Sequence, residues 1–283
     1  MPLSNGKLSR IAVFDCDGTI IKGDVGEAMF RFQVEHFLFR ESPGEIWTEH
    51  PLRTELHDLY RSLSSSPPLL RTHDPGAARF AELLYSWYFA KISEGKTESA
   101  CSDIVRLFAG FSNDELREIA ADTVRHERLA PCEETNAESL QLPRGIRYVR
   151  EVCLLMEWLR NRDFNIWVVS GSNRWSVEEV CRPLSIPASN VLGIDLLATQ
   201  GFYTPHVVRP VPVLEGKVRA LETRSTPPPS IVVSDSLTDL PLFRYATGLR
   251  VFVATGMSAS RFRTASGFEM DDRLVILDSL TFE

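Results

Sequence analysis

The spacing of apolar residues changes twice along the chain and divides it into three regions. Ile11-Ala12-Val13-Phe14 is a short, continuous apolar run, which predicts a strand buried on both faces. From about Asp24 to Leu142 the apolar and aromatic positions recur at helical spacing. The clearest stretches are Ala28 to Phe39, Ala77 to Ile92, Cys101 to Phe108, and a capped helix opened by Ser112-Asn113-Asp114-Glu115. Ser42-Pro43-Gly44 and Ser64-Ser65-Ser66-Pro67-Pro68 read as interhelical loops, because apolar helices continue on both sides of each.

From Leu142 onward strands and helices alternate. Helices are predicted at Gly145 to Arg160, Asn173 to Cys181, Glu215 to Leu221 and Asp239 to Tyr245. Strands are predicted at Asn165 to Val169, Ser230 to Ser234, Leu249 to Val253 and Leu274 to Leu277. A hairpin joins Val191–Ala198 to Phe202–Val208 around Gln200-Gly201. Such alternation implies a doubly wound, mostly parallel α/β sheet with helices on both faces. The opening strand has no partner nearby in sequence, so it must pair within this third region. The expected organisation is a discontinuous core, 1–23 with 143–283, and an inserted all-helical cap over 24–142. No internal repeat is visible.

Composition adds exclusions. The 283 residues carry a net charge of −7, which argues against nucleic acid or an anionic membrane as the main partner. No apolar run approaches the roughly 20 residues needed to cross a bilayer. The start, Met1 to Arg10, is polar and lacks the apolar segment of a signal peptide, so a cytoplasmic location is expected. Cys16, Cys101, Cys132, Cys153 and Cys181 are scattered and never spaced as CxxC, the pattern of reduced thiols. Oligomeric state is not legible.

The candidate chemistry lies where apolar runs end. Asp15 and Asp17 close the first run, ahead of Gly18 and Thr19. Trp167-Val168-Val169 leads into Ser170-Gly171-Ser172, and Ile231-Val232-Val233 leads into Ser234-Asp235-Ser236-Leu237-Thr238-Asp239. Lys217 stands near a helix start in Leu214-Glu215-Gly216-Lys217. Phosphoryl transfer needs this set: a nucleophile in line with the leaving oxygen, and cations with N–H donors around the equatorial oxygens. A carboxylate that attacks a phosphate dianion also needs a divalent metal between the two. Mg²⁺ suits two carboxylates, here Asp15 and Asp235, with the Asp17 backbone carbonyl, waters and substrate oxygen.

These four segments, in this order, resemble the haloacid dehalogenase superfamily of aspartyl-phosphate phosphatases. The helical insertion directly after the first motif is similar to that of the phosphoserine phosphatase branch. The resemblance implies an α/β Rossmann-like core and a Mg²⁺-dependent phosphomonoester hydrolase. In it Asp15 is the nucleophile, Asp17 the general acid and base, and Thr19 orients Asp17 or its loop. Ser170 and the Gly171 N–H hold phosphate oxygens, and Lys217 neutralises nucleophile and phosphate. The metal set is Asp15, Asp17, Asp235 and Asp239, the last through a water or Lys217. One departure stands out: Ser234 occupies the place where the family usually has Gly before the metal-binding Asp, where it would crowd the metal or hydrogen-bond to it.

Selectivity must come from the cap. Asp24 and Glu27 stand at a distance from the first motif similar to that of the amine-contacting glutamate of phosphoserine phosphatases, and an acid there suits a cationic head. Phe30, Phe32, Phe37, Phe39, Trp47, Tyr60, Trp87, Tyr88 and Phe89 make the insertion aromatic, either as its core or as a cage for a quaternary ammonium. Arg209-Pro210-Val211-Pro212-Val213 and the long insertion are similar to the phosphorylcholine phosphatase group. The expected partner is therefore a small phosphorylated metabolite, phosphocholine-like, with phosphoserine as the alternative. Arg31, Arg53 or Arg79 could clamp a substrate carboxylate. Other classes remain open: a phosphonatase using Lys91 or Lys96, a dehalogenase, or a non-catalytic phosphate-binding or signalling protein.

Overall fold

A computed structural model of the chain describes residues 10–40, 46–47, 49–67, 71, 74–132, 142–268 and 272–283. In chain order the strands are β1 (Ile11–Phe14), β2 (Ile21–Lys22), β3 (Arg147–Tyr148), β4 (Asn165–Asn173) and β5 (Val191–Ile194). They continue with β6 (Leu196–Thr199), β7 (Phe202–Val207), β8 (Ile231–Ser234), β9 (Leu249–Val253) and β10 (Leu274–Leu277). Between β2 and β3 run the helices α1 (Val25–Glu35), α2 (Arg53–Ser65), α3 (Pro75–Ser93), α4 (Thr97–Arg106) and α5 (Asn113–Leu129). After β3 come α6 (Arg150–Arg160), α7 (Arg174–Cys181), α8 (Glu215–Glu222), α9 (Leu240–Tyr245) and α10 (Ala259–Ser266).

Six strands form one sheet in the order β10-β9-β8-β1-β4-β5, and every neighbouring pair is parallel. Because side chains alternate along a strand, β1 feeds two apolar layers. Ala12 and Phe14 pack with Val152, Met156 and Leu159 of α6, while Ile11 and Val13 pack with Leu221, Phe243 and Phe262 of α8, α9 and α10. Burial on both sheet faces is why these strands read as unbroken apolar runs. The chain fills one side of β1 with β4 and β5, then the other with β8 to β10. That reversal opens a crevice at the carboxyl ends of the strands beside β1.

The helices between β2 and β3 share a third apolar cluster with the β6–β7 hairpin and the segment 211–213. Most of the rings named above are spent inside it. Phe80 packs against Phe37, Phe39 and Trp47 with centroids 5.6, 5.7 and 5.8 Å away, and Phe30 meets Tyr85 edge-on at 5.5 Å. Ser112 and Glu115 close a reciprocal capping box at the start of α5.

Two connections tie the insertion down. At its base, Arg31 and Glu127 form a buried ion pair at 2.5 Å, and the other Glu127 oxygen accepts from Gly145 N–H at 2.7 Å. Arg31 also donates to the carbonyls of Leu142 and Pro143. Farther out, the hairpin adds backbone bonds to the insertion, Gly110 N to Tyr203 O at 2.7 Å and Tyr203 N to Phe111 O at 2.8 Å.

The structure departs from the sequence reading in a few places. The predicted helix from Gly145 begins at Arg150, because Arg147–Tyr148 instead pairs with Ile21–Lys22 as an antiparallel ribbon at the neck of the insertion. The run Val191–Ala198 is two strands: β5 joins the main sheet and only β6 pairs with β7. Asp195 makes the break, accepting from Leu196 N–H and from Arg174. The Ser42-Pro43-Gly44 loop, Pro68 and residues 1–9 lie outside the described residues. Among the described residues no helix is long and apolar enough to cross a membrane, and the cysteines form no disulfide.

Candidate active site

Three strand ends meet in the crevice. Asp15 follows β1 and is held in register by its N–H to Val233 O at 2.9 Å; Asp235 follows β8; Ser170 and Ser172 lie near the end of β4. Gly18 turns the chain after Asp17 with φ of 70°, and a Cβ there would lie 2.1 Å from Asp235 Oδ2. Only glycine allows both the turn and the approach of Asp235.

Lys217 is the centre of the arrangement. Its ammonium, buried in the crevice, donates to Asp15 Oδ1 and to Asp239 Oδ2, each at 2.8 Å. Burial alone would lower its proton affinity, but the carboxylates of Asp15 and Asp239 outweigh burial and keep it charged. Ser234 donates to the same Asp239 oxygen at 2.7 Å. The serine that replaces the family's glycine therefore points toward Asp239 and fixes it. Among the described residues the buried Asp239 Oδ1 has no hydrogen-bond partner, and the side chain does not cap the helix that follows. Replacing Ser234 by Gly is expected to cost about 1 kcal/mol and to lower kcat several-fold with KM unchanged. Urea unfolding and steady-state kinetics would read this, and a variant equal to wild type in both would show the hydroxyl to be idle.

Asp17 is held on both oxygens: Oδ1 accepts from Val25 N–H at 2.7 Å, and Oδ2 from Ser172 at 2.7 Å and Ser170 at 3.1 Å. Ser170 also accepts from Ser172 N–H at 3.0 Å, so its hydroxyl hydrogen is given to Asp17. Asn173 takes the capping role at α7. Thr19 serves a different partner, donating to Asp235 Oδ1 at 3.1 Å and leaving Asp17 alone.

Two residues escaped the sequence reading. Ser172 carried a signal, since it stands two positions from Ser170 and so shares its strand face. Thr255, beyond β9, donates to Gly18 O at 2.5 Å and approaches Asp235 Oδ2 at 3.4 Å; no motif marked it.

These carboxyls crowd one another away from bulk water. Burial, then the charges of Asp239 and Asp17 against the opposing pull of Lys217, raises Asp15 to about 7. Burial and Asp24 raise Asp17 to about 7; burial and Glu27 raise Asp24 to about 7. Burial and the charge of Asp15 raise Asp235 to about 8. A site that penalises its own negative charge suits a divalent cation. The side chains available to one are Asp15 and Asp235, with the Asp17 backbone carbonyl. The Asp17 side chain is committed to Val25, Ser170 and Ser172, which leaves its backbone carbonyl for the metal, and Asp239 Oδ2 holds Lys217 and Ser234, the indirect role expected of it. Among the described residues no three acidic, histidine or cysteine side chains form a metal cluster by themselves. Mg²⁺ asks for fewer, because water and substrate oxygens complete its shell.

The crevice opens into a cavity of 370 Å³ between sheet and insertion, lined by Asp15, Asp17, Gly171, Lys217 and Asp235 on the sheet side. Asp24, Glu27, Tyr88, Cys101 and Ile104 line the opposite side. Asp24 caps α1 by accepting from Glu27 N–H at 2.7 Å, and Tyr88 donates to Glu27 Oε1 at 2.9 Å. Burial raises Glu27 above the usual glutamate range. Of the insertion's rings only Tyr88 lines the cavity among the described residues, so the cage for a quaternary ammonium is not built.

The arginines proposed as carboxylate clamps are elsewhere. Arg31 is locked to Glu127, and Arg79 pairs with Glu55 and Glu82. Arg53 is exposed at the start of α2 and does not line the cavity. Lys91, the candidate for Schiff-base chemistry, is paired with Asp103 at 2.5 Å, and Lys96 with Glu94 at 2.8 Å; neither lines the cavity. Cys16 is buried in the apolar layer under the sheet, and burial raises its thiol far above the usual range.

The family model for haloacid dehalogenase-like hydrolases matches residues 12–244, spanning the strand before Asp15, the insertion, Lys217 and Asp239. The chain belongs to that family. The hydrolase shares its fold with a conserved protein of unknown function from Anaerococcus prevotii DSM 20548 (TM-score 0.70, 16% identity, 95% of this chain and 86% of that one). A protein of unknown function from Bordetella pertussis Tohama I follows (0.60, 15%, 96% and 99%). A HAD family hydrolase from Salmonella enterica serovar Typhi matches with a TM-score of 0.51 at 10% identity, over 96% of this chain and 68% of that one. No curated protein matches the chain.

Proposed function

We propose that this hydrolase is a Mg²⁺-dependent phosphatase that cleaves a small phosphorylated alcohol with a cationic head, through an aspartyl-phosphate on Asp15. The observation that carries the reading is the buried Lys217 ammonium, 2.8 Å from both Asp15 and Asp239 at the floor of a cavity that Asp17 also lines.

Lys217 engages Asp15 Oδ1, and among the described residues no hydrogen bond engages Oδ2, which is the oxygen left to attack phosphorus. Mg²⁺ held by Asp15, Asp235 and the Asp17 carbonyl would neutralise the repulsion between carboxylate and phosphate dianion. As the phosphorus–oxygen ester bond breaks, Asp17 gives its proton to the leaving alcohol; it then takes one from the water that opens the acyl phosphate. A carboxyl raised to about 7 can do both near neutral pH. Gly171, next to β4's serines in the cavity wall, offers its N–H to a phosphate oxygen. The helical segment 24–142 acts as a cap on a core formed by 1–23 and 143–283, and excludes water from the site.

The head of the alcohol faces Asp24 and Glu27. Among the described residues the cavity wall holds no arginine, and Lys217 is its one lysine. A phosphoserine carboxylate would sit among acids without a counter-charge, whereas an ammonium would find two. In a panel of phosphoethanolamine, phosphocholine, phosphoserine and sugar phosphates with Mg²⁺, phosphoethanolamine is expected to exceed phosphoserine in kcat/KM by about tenfold or more. A panel led by phosphoserine would overturn the cationic-head assignment.

A further inference from the structure

Helix α4 presents each of its two faces to a different cavity. Thr97, Cys101, Ile104 and Val105 recur at helical spacing and line the catalytic cavity. Glu98, Ser99, Ser102, Asp103 and Arg106 lie on the other face and line a polar groove of 580 Å³, closed on its far side by Pro205 and His206 of β7. The helix is a partition. Thr97 and Leu214 line both spaces and so form the sill where the partition ends.

Leu214 is held there under strain. Its backbone has φ of 53° and ψ of −127°, a conformation unfavourable for any residue with a Cβ. The surroundings impose it: a Cβ on Gly216 would lie 1.8 Å from Val211 O, and the Lys217 N–H bonds Leu214 O at 3.1 Å. The strained residue thus joins the start of the lysine-bearing helix to the apolar cluster of the insertion, at the one place where the cavities share a wall.

The groove's charges cancel. Arg209 pairs with Glu98, Arg106 with Asp103 at 3.2 Å, Lys96 with Glu94 at 2.8 Å and Glu49 with Lys91 at 3.3 Å. Ser99 is held between Lys91 and Asp103, whereas Ser102, 7% exposed, has no hydrogen-bond partner for its Oγ among the described residues. A wall of internally neutralised ion pairs, with the hydroxyls of Thr97 and Ser102 among them, suits an uncharged group rich in donors and acceptors.

We propose that this groove is a leaving-group subsite, which takes the neutral, polyhydroxylated part of a phosphorylated alcohol passing over the Thr97–Leu214 sill from the catalytic cavity. The proposal rests on the phosphatase reading and extends it: the preferred substrate carries an ammonium near the ester and a hydroxyl-rich tail beyond. Glucosamine 1-phosphate and phosphoethanolamine form a test pair, because both carry the amine two carbons from the ester oxygen and only the first has the tail.

Two variants act in opposite directions on the ratio of their kcat/KM values. His206→Trp, on the exposed strand of the hairpin, fills the groove and is expected to lower the ratio of long to short substrate about tenfold. Leu214→Gly removes the sill and the strain together, and is expected to raise the ratio several-fold. Ratios within twofold of wild type in both variants would overturn the subsite while leaving the phosphatase reading intact. Should wild type hydrolyse neither ester, the phosphatase reading fails by itself, and calorimetric binding of glucosamine 1-phosphate then decides. Binding weakened by His206→Trp supports the subsite; binding that is absent, or unaffected by the variant, overturns it.

Discussion

Phosphomonoester turnover is expected to fall by about 10⁴-fold or more in Asp15→Asn, the loss typical of removing a nucleophile from a site whose other groups remain. Asparagine keeps an acceptor for Lys217 but cannot form an acyl phosphate. Chelation of divalent metal should abolish activity in wild type as well, and Mg²⁺ should restore it there alone. The same variant is expected to raise the melting temperature of metal-free protein. The reason is electrostatic: Asp15 is buried, lies near Asp17 and Asp239, and is the main charge acting on Asp235 after burial. One fewer carboxylate relieves part of that repulsion. Turnover within tenfold of wild type would remove Asp15 from the reaction, whatever happens to stability.

Glu127→Gln is expected to destabilise the protein by about 3–5 kcal/mol at pH 7, because it leaves the buried Arg31 guanidinium without its counter-charge. Both side chains are nearly inaccessible, at 4% and 3% exposure, so water cannot substitute for the lost carboxylate. In a chain of this length the fall in Tm should be on the order of 10 °C. The pH dependence has a definite sign. Burial alone would raise Glu127, but hydrogen bonds from Arg31 and the Gly145 N–H, with the arginine's charge, outweigh it and hold the carboxyl below the usual glutamate range. A group depressed in the folded state contributes its stability above its unfolded pKa and loses it as pH falls through the folded one. The gap between wild type and variant should therefore stay constant from about pH 7 to 5 and shrink below about 4.5. Urea titrations at several pH values would measure it. A constant gap across the acid range would mean that the pair acts through packing alone.

The chemistry was largely legible from β1, β4, β8 and the helix start at Lys217, because carboxylates and hydroxyls at the ends of apolar runs have few purely structural uses. What the local pattern could not show is which group each of them serves. Thr19 was expected under Asp17 and holds Asp235; Ser234 was expected near the metal and holds Asp239. Thr19's partner is 216 residues away and leaves no trace in local spacing, whereas Ser234's is five residues on, where spacing alone does not say whether the hydroxyl turns to the metal or to Asp239. Arg31 shows the same limit in reverse: it was one of three arginines that could clamp a substrate carboxylate, and its use is to bind the far end of the insertion.

Alternation of burial along the strands, the helical period of the insertion and the order of strand-terminal acids follow from the sequence by itself. They require a parallel α/β sheet interrupted by helices and put a carboxylate cluster at the sheet's carboxyl edge. Tertiary structure alone decided that nearly all the insertion's rings face one another, that Tyr88 alone of them reaches the cavity, and that α4 divides two spaces. The physical reason is that periodicity states how much of a helix is buried and says nothing about what buries it. An aromatic stripe packs equally well on another helix or on a ligand, and only the folded chain distinguishes the two.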